Sequence, residues 1–341
     1  MVTIKDIARE SGYSVSTVSR VLNNRRDVSP DAKKKIEEIV AAHHFVPNNN
    51  ARHMRQMVSR TIAVLVKGTS NLLFASIVEE IQSIVEGTRY TLSVSYLDEE
   101  ANEVEQAQIV CRERNPMGIL FLGGNLEYFQ EGFGEVEVPC VLVSNQGRNL
   151  PFSNLSSVST DDRAAAGCAV DYLIGQGHRR IGIIGGDLKL SYTSVQRFRG
   201  CMDSFRSHGV EFDEKRYFEK ARFSYDSAYR AMKRLLGRCE ELTAVFAMGD
   251  VMAIGAIRAL RDLGLMVPED ISVMGFDGIT LAEYYNPKLA TIQQQYQKLA
   301  SRSLELLLKS IDLNTSAVHE IVPFQLLEGE SVRNITEQVK C

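Results

Sequence analysis

The sequence predicts a small all-α head followed by an α/β body of two doubly wound parallel-sheet subdomains. Three observations carry that prediction. Residues 3–22 hold two short amphipathic helical patterns joined through Gly12. At Thr61 the period changes, and short apolar runs then alternate with helical stretches. The charge is also divided. Residues 1–60 hold 11 Lys+Arg against 6 Asp+Glu, net +5, and the remainder holds 28 against 37, net −9. A basic head on an acidic body is the asymmetry expected of a nucleic-acid-binding module.

The segment TIKDIARESGYSVSTVSRVL opens with Thr3 as a helix N-cap and Asp6 three residues on, close to a capping box. Ile4, Ile7 and Ala8 fall on one face. Gly12 supplies a left-handed turn, and Ser14 caps a second helix. Val18, Val21 and Leu22 form its inner stripe, and Ser16, Thr17, Ser19 and Arg20 its outer face. Two short helices about a glycine turn, the second with a polar donor face, describe a helix-turn-helix. An ordinary helical hairpin is the plain alternative. Ser29-Pro30-Asp31 starts a third helix, expected to reach about His44, with Ile36, Ile39 and Val40 inward and Lys33, Lys34 and Lys35 early in it.

Pro47-Asn48-Asn49-Asn50 ends the head. Ala51 to Met57 has room for one or two helical turns, too few to be stable alone. The expected division is a head over 1–46, a linker over 47–59 and a body over 60–341.

In the body, TIAVLVK reads as a strand, 72–87 as a helix, TLSVSYL as a strand, 101–114 as a helix, and GILFL and PCVLVS as strands. After SVSTDD the alternation restarts: helix 162–175, strand IGIIGG, helices 195–208 and 224–237, strand AVFAM, helix 251–263 and strand ISVMGFD. Such alternation implies parallel sheets with right-handed crossovers. A break near residue 160 implies two subdomains, with a ligand cleft outside the carboxyl ends of the strands. Asp161 and Asp277 each stand at a strand end, where carboxylates suit vicinal hydroxyls. Arg197, near the start of its helix, adds a planar donor fork.

Composition narrows the class. With 44% hydrophobic and 24% charged residues the chain is globular. The cysteines (111, 140, 168, 201, 239, 341) are scattered without CxxC spacing, and the six histidines show no metal spacing. His178, in GHRR, is expected to cap or pack at a helix-to-strand turn. No GxGxxG follows a strand and no GxSxG elbow is present, so neither a dinucleotide enzyme nor a serine hydrolase is expected, and no cofactor. Without a signal segment or an ~18-residue apolar run, the protein is expected to be soluble and cytoplasmic.

The N-terminal motif TIKDIARESGYSVSTVSRVLNN, followed by FVPNxxARxM, resembles the lactose-repressor/galactose-repressor family of bacterial transcription regulators. The landmarks YLIxxGHRRIGIIGG, RFRG, GDVMAIGAIRAL, VPEDISVMGFD and PKLATIxQ extend the likeness along the body, which is similar to sugar-binding periplasmic proteins. The resemblance implies a homodimer on palindromic operator DNA that responds to a small effector, expected to be a sugar inducer. A corepressor, an activator or a non-sugar effector is the alternative. A periplasmic solute-binding protein would share the body but not the head.

The resemblance also implies roles. DNA contacts are expected from Thr3, Ile4, Ser14, Val15, Ser16, Thr17, Ser19, Arg20, Asn23 and Ser29, and from Asn48, Ala51 and Met54 in a hinge that folds on operator. Val15, Ser16 and Arg20 are the expected base readers, and Met54 takes the minor-groove wedge position usually held by leucine. Effector contacts are expected from Phe74, Asn145, Asp161, Arg197, Phe223 and Asp277, with core packing the plain alternative for Phe74 and Phe223. Arg197→Ala or Asp277→Ala is expected to leave operator binding but abolish the response. The family's usual Asn before the Asp of NDxMAxG is Gly249 here, so one effector contact is expected to be missing, and Asp250 is expected to be a helix N-cap. By the same resemblance, residues near 291–320 rejoin the first lobe and those from 321 the second. No leucine heptads follow Arg333, so no tetramer coil is expected.

Overall fold

The computed structural model describes residues 4–22, 28–43 and 60–336. The chain divides into two units, Met1–Val58 and Ser59–Cys341. In the first, α1 (Ile4–Ser11), α2 (Val15–Leu22) and α3 (Pro30–Ala42) enclose one small core of Ile7, Ala8, Val18, Val21 and Ile36. Leu22, Ile39 and Val40 pack around it half-buried. The chain reverses at Gly12, whose φ of 75° is strained for any residue with a Cβ and whose N–H donates to Ala8 O at 3.1 Å. Ser29 caps α3, accepting from the Ala32 N–H at 3.4 Å. Thr3 lies outside the described residues.

The second unit runs β1 (Thr61–Lys67), α4 (Leu72–Glu86), β2 (Thr91–Leu97), α5 (Glu103–Arg114), β3 (Gly118–Leu122), α6 (Leu126–Gly132), β4 (Cys140–Val143) and β5 (Leu155–Thr160). It continues with α7 (Asp162–Gly175), β6 (Ile181–Gly185), α8 (Tyr192–Ser207), α9 (Glu214–Tyr217), β7 (Phe218–Lys220), α10 (Tyr225–Leu236), β8 (Ala244–Ala247), α11 (Asp250–Asp262), β9 (Ser272–Asp277), α12 (Thr280–Tyr284) and β10 (Ala290–Gln294). It ends with α13 (Tyr296–Leu313), β11 (His319–Val322) and β12 (Phe324–Leu327).

Two six-stranded sheets result, ordered β2–β1–β3–β4–β5–β11 and β7–β6–β8–β9–β10–β12. All pairings are parallel except β12 on β10. Helices cover both faces of such sheets, so central strands bury both sides. Ile62 to Val66 of β1 and all of β3 are accordingly buried.

The chain passes between the lobes three times, at residues 161, 295 and 323. The expected return points shift by a few residues. β10 pairs with β9, so the chain stays in the second lobe to Gln294. α13 and β11 then belong to the first lobe. A methyl on Gly118 of β3 would come within 2.8 Å of Leu307 on α13, which shows how closely that helix seats on the first sheet.

His178 ties the end of the chain down. Fully buried, it bonds Thr243 Oγ1 through Nδ1 (3.0 Å), and its Nε2–H donates to Arg333 O (3.1 Å). Burial holds its pKa down at about 4. The unfolded chain takes up that proton near the ordinary 6.5, so this stabilisation is present above that pH and is lost as pH falls toward 4. Between pH 7 and pH 5 the wild type should lose about 2 kcal/mol that a His178→Gln variant does not lose, measured as the difference between their urea midpoints.

Candidate functional site

On the head, Ser14 just before α2 and Val15, Ser16 and Arg20 on it face solvent, with Val15 42% exposed despite being apolar. Thr17 and Ser19 are half-buried. Ser14 does the work of a cap: its Oγ accepts from the Thr17 N–H (3.2 Å) and contacts the hydroxyls of Ser16 (2.7 Å) and Thr17 (2.9 Å). Ile4 opens α1. Asn23, Asn48, Ala51 and Met54, and with them the whole expected hinge, lie outside the described residues.

The body holds a cleft of about 250 Å³ at the carboxyl ends of both sheets. Lys67, Glu99, Gly123, Gly124 and Asn145 reach it from the first lobe, and Gly186, Asp187, Lys220, Arg222, Phe223, Asp277 and Gln294 from the second. This is where a doubly wound sheet binds ligands, because successive crossovers diverge there.

An aromatic ring enters from each lobe, and both rings sit on glycine. Asn71 caps α4 by accepting from the Leu73 and Phe74 N–H groups, which fixes the start of the helix carrying Phe74. A methyl on Gly123 would lie 3.0 Å from the Phe74 ring. A methyl on Gly186 would lie 2.8 Å from the Phe223 ring, and one on Gly249 3.1 Å from it. Gly249 is therefore where the Phe223 ring lies, which accounts physically for a glycine at this position.

Arg197 is 3% exposed and fully engaged. Its Nε donates to Asp162 Oδ1 (2.7 Å), one terminal NH2 to Met248 O (2.5 Å), and the other stands 3.8 Å from Asp277 Oδ1. The guanidinium lies 3.7 Å above the Phe276 ring. Asp277 accepts from Gln294 Nε2 at 2.9 Å. Burial pushes its carboxyl up to about 6 against the pull of Arg197. Its backbone φ of 120° is strained for any residue but glycine. Asn145 donates to Gly124 O (3.1 Å), while its buried Oδ1 has no hydrogen-bond partner.

Of the six expected effector residues, Phe74, Asn145, Arg197, Phe223 and Asp277 line the cleft. Asp161 does not. Its carboxylate caps α7, accepting from the Ala164 N–H at 3.0 Å, and the residue after it, Asp162, is the one that faces Arg197. Asp250 also corrects its expectation. The N-cap position of α11 is Gly249, and the buried Asp250 carboxylate instead accepts from the Ile279 N–H (2.8 Å) and the Thr291 hydroxyl (2.6 Å). Glu99, Asp187, Gln294 and Arg222 were not anticipated.

The lining cations pair internally. Lys67 meets Glu103 (2.5 Å), Lys220 meets Asp187 (2.8 Å), Arg197 meets Asp162, and Arg222 meets Asp98 (2.6 Å) and Glu99 (3.3 Å). Among the described residues no group of His, Cys, Asp and Glu side chains could hold a metal, and no helix is long and apolar enough to cross a membrane.

Comparison with known proteins places both units. Residues 3–48 match the family described as bacterial regulatory proteins, lacI family, and residues 170–332 match the periplasmic binding protein-like domain. The chain is 36% identical over 341 residues to the HTH-type transcriptional regulator MalR of Clostridium butyricum, covering 97% of this chain and 99% of that one. It is 30% identical over 313 residues to the ribose operon repressor of Haemophilus influenzae, covering 91% and 92%. The structure of the transcriptional regulator CelR–cellobiose complex superposes with a TM-score of 0.71 at 27% identity, covering 97% of this chain and 100% of that one.

Proposed function

The chain belongs to the lacI family of bacterial regulatory proteins and is a transcriptional repressor with a DNA-binding helix-turn-helix, not an enzyme; from that premise we propose that an uncharged carbohydrate in the cleft releases it from operator DNA. The observation that carries the effector class is the pairing of every lining cation among the described residues with a carboxylate, which leaves no free cation for a phosphate or a uronate. The orphaned Asn145 Oδ1 and the Asp277 carboxylate are acceptors, so the ligand must bring donors, as a polyol does. The Phe74 and Phe223 rings offer flat apolar faces to a sugar ring. Cellobiose in the CelR complex supports the same class.

A thermal-shift series against neutral mono- and disaccharides, uronates, sugar phosphates and purines tests this. A neutral sugar at 100 times its Kd should add about 2.7 kcal/mol of stability. Stabilisation by a charged or purine ligand alone would sink the effector class.

On the DNA side, a homodimer places two copies of α2 in successive major grooves of a palindromic operator in the cytoplasm. Thr3, Ile4, Ser14, Thr17, Ser19, Asn23, Ser29, Asn48 and Ala51 position the head, and Met54 wedges into the minor groove. Val15, Ser16 and Arg20 read bases, and their outward placement on α2 supports that role. Arg20 paired to guanine is worth about 1–3 kcal/mol against the wrong base. Arg20→Ala should therefore relax specificity at one symmetric pair of operator positions in a binding-site selection. Equal loss on all sequences would make Arg20 a phosphate contact instead. The effector is an inducer, checked by operator titration with and without sugar; tighter binding with sugar would make it a corepressor.

A further inference from the structure

Among the described residues, four cations line the cleft, and three are paired within their own lobe: Lys67 with Glu103, Lys220 with Asp187, and Arg197 with Asp162. Arg222 differs. It follows β7 in the second lobe, and its carboxylates come from the first: Asp98 at 2.6 Å and Glu99 at 3.3 Å, both just past β2. The other oxygen of Glu99 accepts the backbone N–H of Phe223 at 3.1 Å, again across the cleft. The loop that carries these donors is itself anchored, because the Arg222 N–H donates to Ser227 Oγ at 2.9 Å on the first turn of α10. A pair within one lobe does not depend on the angle between lobes. A pair between lobes breaks when they part.

We propose that Asp98, Glu99 and Arg222 form a latch across the mouth of the cleft, with Glu99 the positioning residue that seats Phe223 against Gly186 and Gly249. Exposed ion pairs are individually weak and screened by salt, and Arg222 and Asp98 are each at least half exposed. Glu99 is the better-buried member, and its bond to an amide is charge-assisted, so it does most of the holding. Burial raises its carboxyl despite the facing Arg222, the pattern of a charge kept in place for a purpose. Losing Glu99 frees the 221–224 loop, lets the Phe223 ring leave its glycine seat, and shifts the lobes toward an open state. The consequence for effector affinity rests on the reading of the cleft given above. The latch itself does not.

The test uses the full chain without ligand, reading hydrogen exchange at the Phe223 amide and the radius of gyration by small-angle scattering. Glu99→Ala should speed that exchange roughly tenfold or more, the value of a lost charge-assisted bond, and should enlarge the particle. Glu99→Gln, which keeps an acceptor but not the charge, and Arg222→Ala should fall between. The unaltered protein should open in about 1 M salt, where the Debye length is about 3 Å, so the latch remains testable if Glu99→Ala does not fold. Unchanged exchange and scattering in Arg222→Ala and Glu99→Gln, with no salt response, would overturn the latch. A carbohydrate that binds wild type and Glu99→Ala equally would overturn the positioning role. If no carbohydrate binds the wild type, the effector class fails while the ligand-free measurements still decide the latch.

Discussion

Gly200→Ala should unfold the second lobe. A methyl there would lie 2.0 Å from Arg163 O and 2.9 Å from Arg163 C, both backbone atoms of α7, where α7 and α8 cross. No rotamer change relieves a clash with backbone, so the helices must separate. Gly167 N would lie 3.0 Å from the same methyl, and both helices carry fully buried residues of one core (Ala165, Ala166, Ala169 and Cys201) whose packing depends on their seating. Arg163 follows Asp162, and Gly200 lies one turn past Arg197, so separation also breaks the buried ion pair beneath the cleft. The expected loss exceeds about 4 kcal/mol in urea unfolding, with effector binding lost alongside. Gly175→Ala is the control. Its methyl meets nothing within 4 Å at the end of α7, and it should be neutral or stabilise by up to about 1 kcal/mol. Equal stability of the two variants would show that α7 and α8 can part freely.

The second large effect is a trade. Asp277→Asn should weaken the response to effector while making the protein more stable. Burial raises the folded pKa of Asp277 to about 6, above its ordinary 3.8. A raised folded pKa means stability that is present below 3.8 and lost as pH rises through 6. At neutral pH the ionised carboxylate therefore costs on the order of 3 kcal/mol, which asparagine avoids while keeping the shape and a bond to Gln294. The melting temperature of Asp277→Asn should exceed that of wild type at pH 7, with the gap closing toward about pH 4. Operator titration with sugar should show effector affinity reduced by about 10–100-fold, the worth of hydrogen bonds to a charged group. A normal response would remove Asp277 from the effector site. Arg197→Ala is the poorer probe. It strands Asp162 in the interior, and breaking such a pair costs about 3–5 kcal/mol, so silence could reflect unfolding alone.

Much of the fold could be read from period alone. TIAVLVK and GILFL are unbroken apolar runs because helices cover both faces of their sheet, and Gly12 marked the turn of the head because its φ is positive. The misplacements are local and physical. In SVSTDD two carboxylates stand side by side, and which one caps the helix and which faces Arg197 depends on a single residue of helical phase. Asp250 looked like a cap because it opens a helix, yet Thr291 and the Ile279 amide, brought close only by the sheet, claim its oxygens. Glu99 lies in DEE after a strand, which reads as a solvated turn, and only the approach of the other lobe gives it a role. Period shows which residues are inward along one element, and it carries nothing about what arrives from 124 residues away.

The three passages between lobes have a consequence for synthesis. As the chain leaves the ribosome, the first five strands of one lobe are made before residue 161, but that lobe lacks α13 and β11 until Val322. Leu299, Leu304 and Leu307 of α13 are almost fully buried in its core, so the early half carries an uncovered apolar face throughout translation of the other lobe. The second lobe in turn waits for β12. A transcript broken anywhere before codon 322 therefore leaves both lobes unfinished, and such a fragment is a substrate for proteolysis rather than a sensor with half its parts.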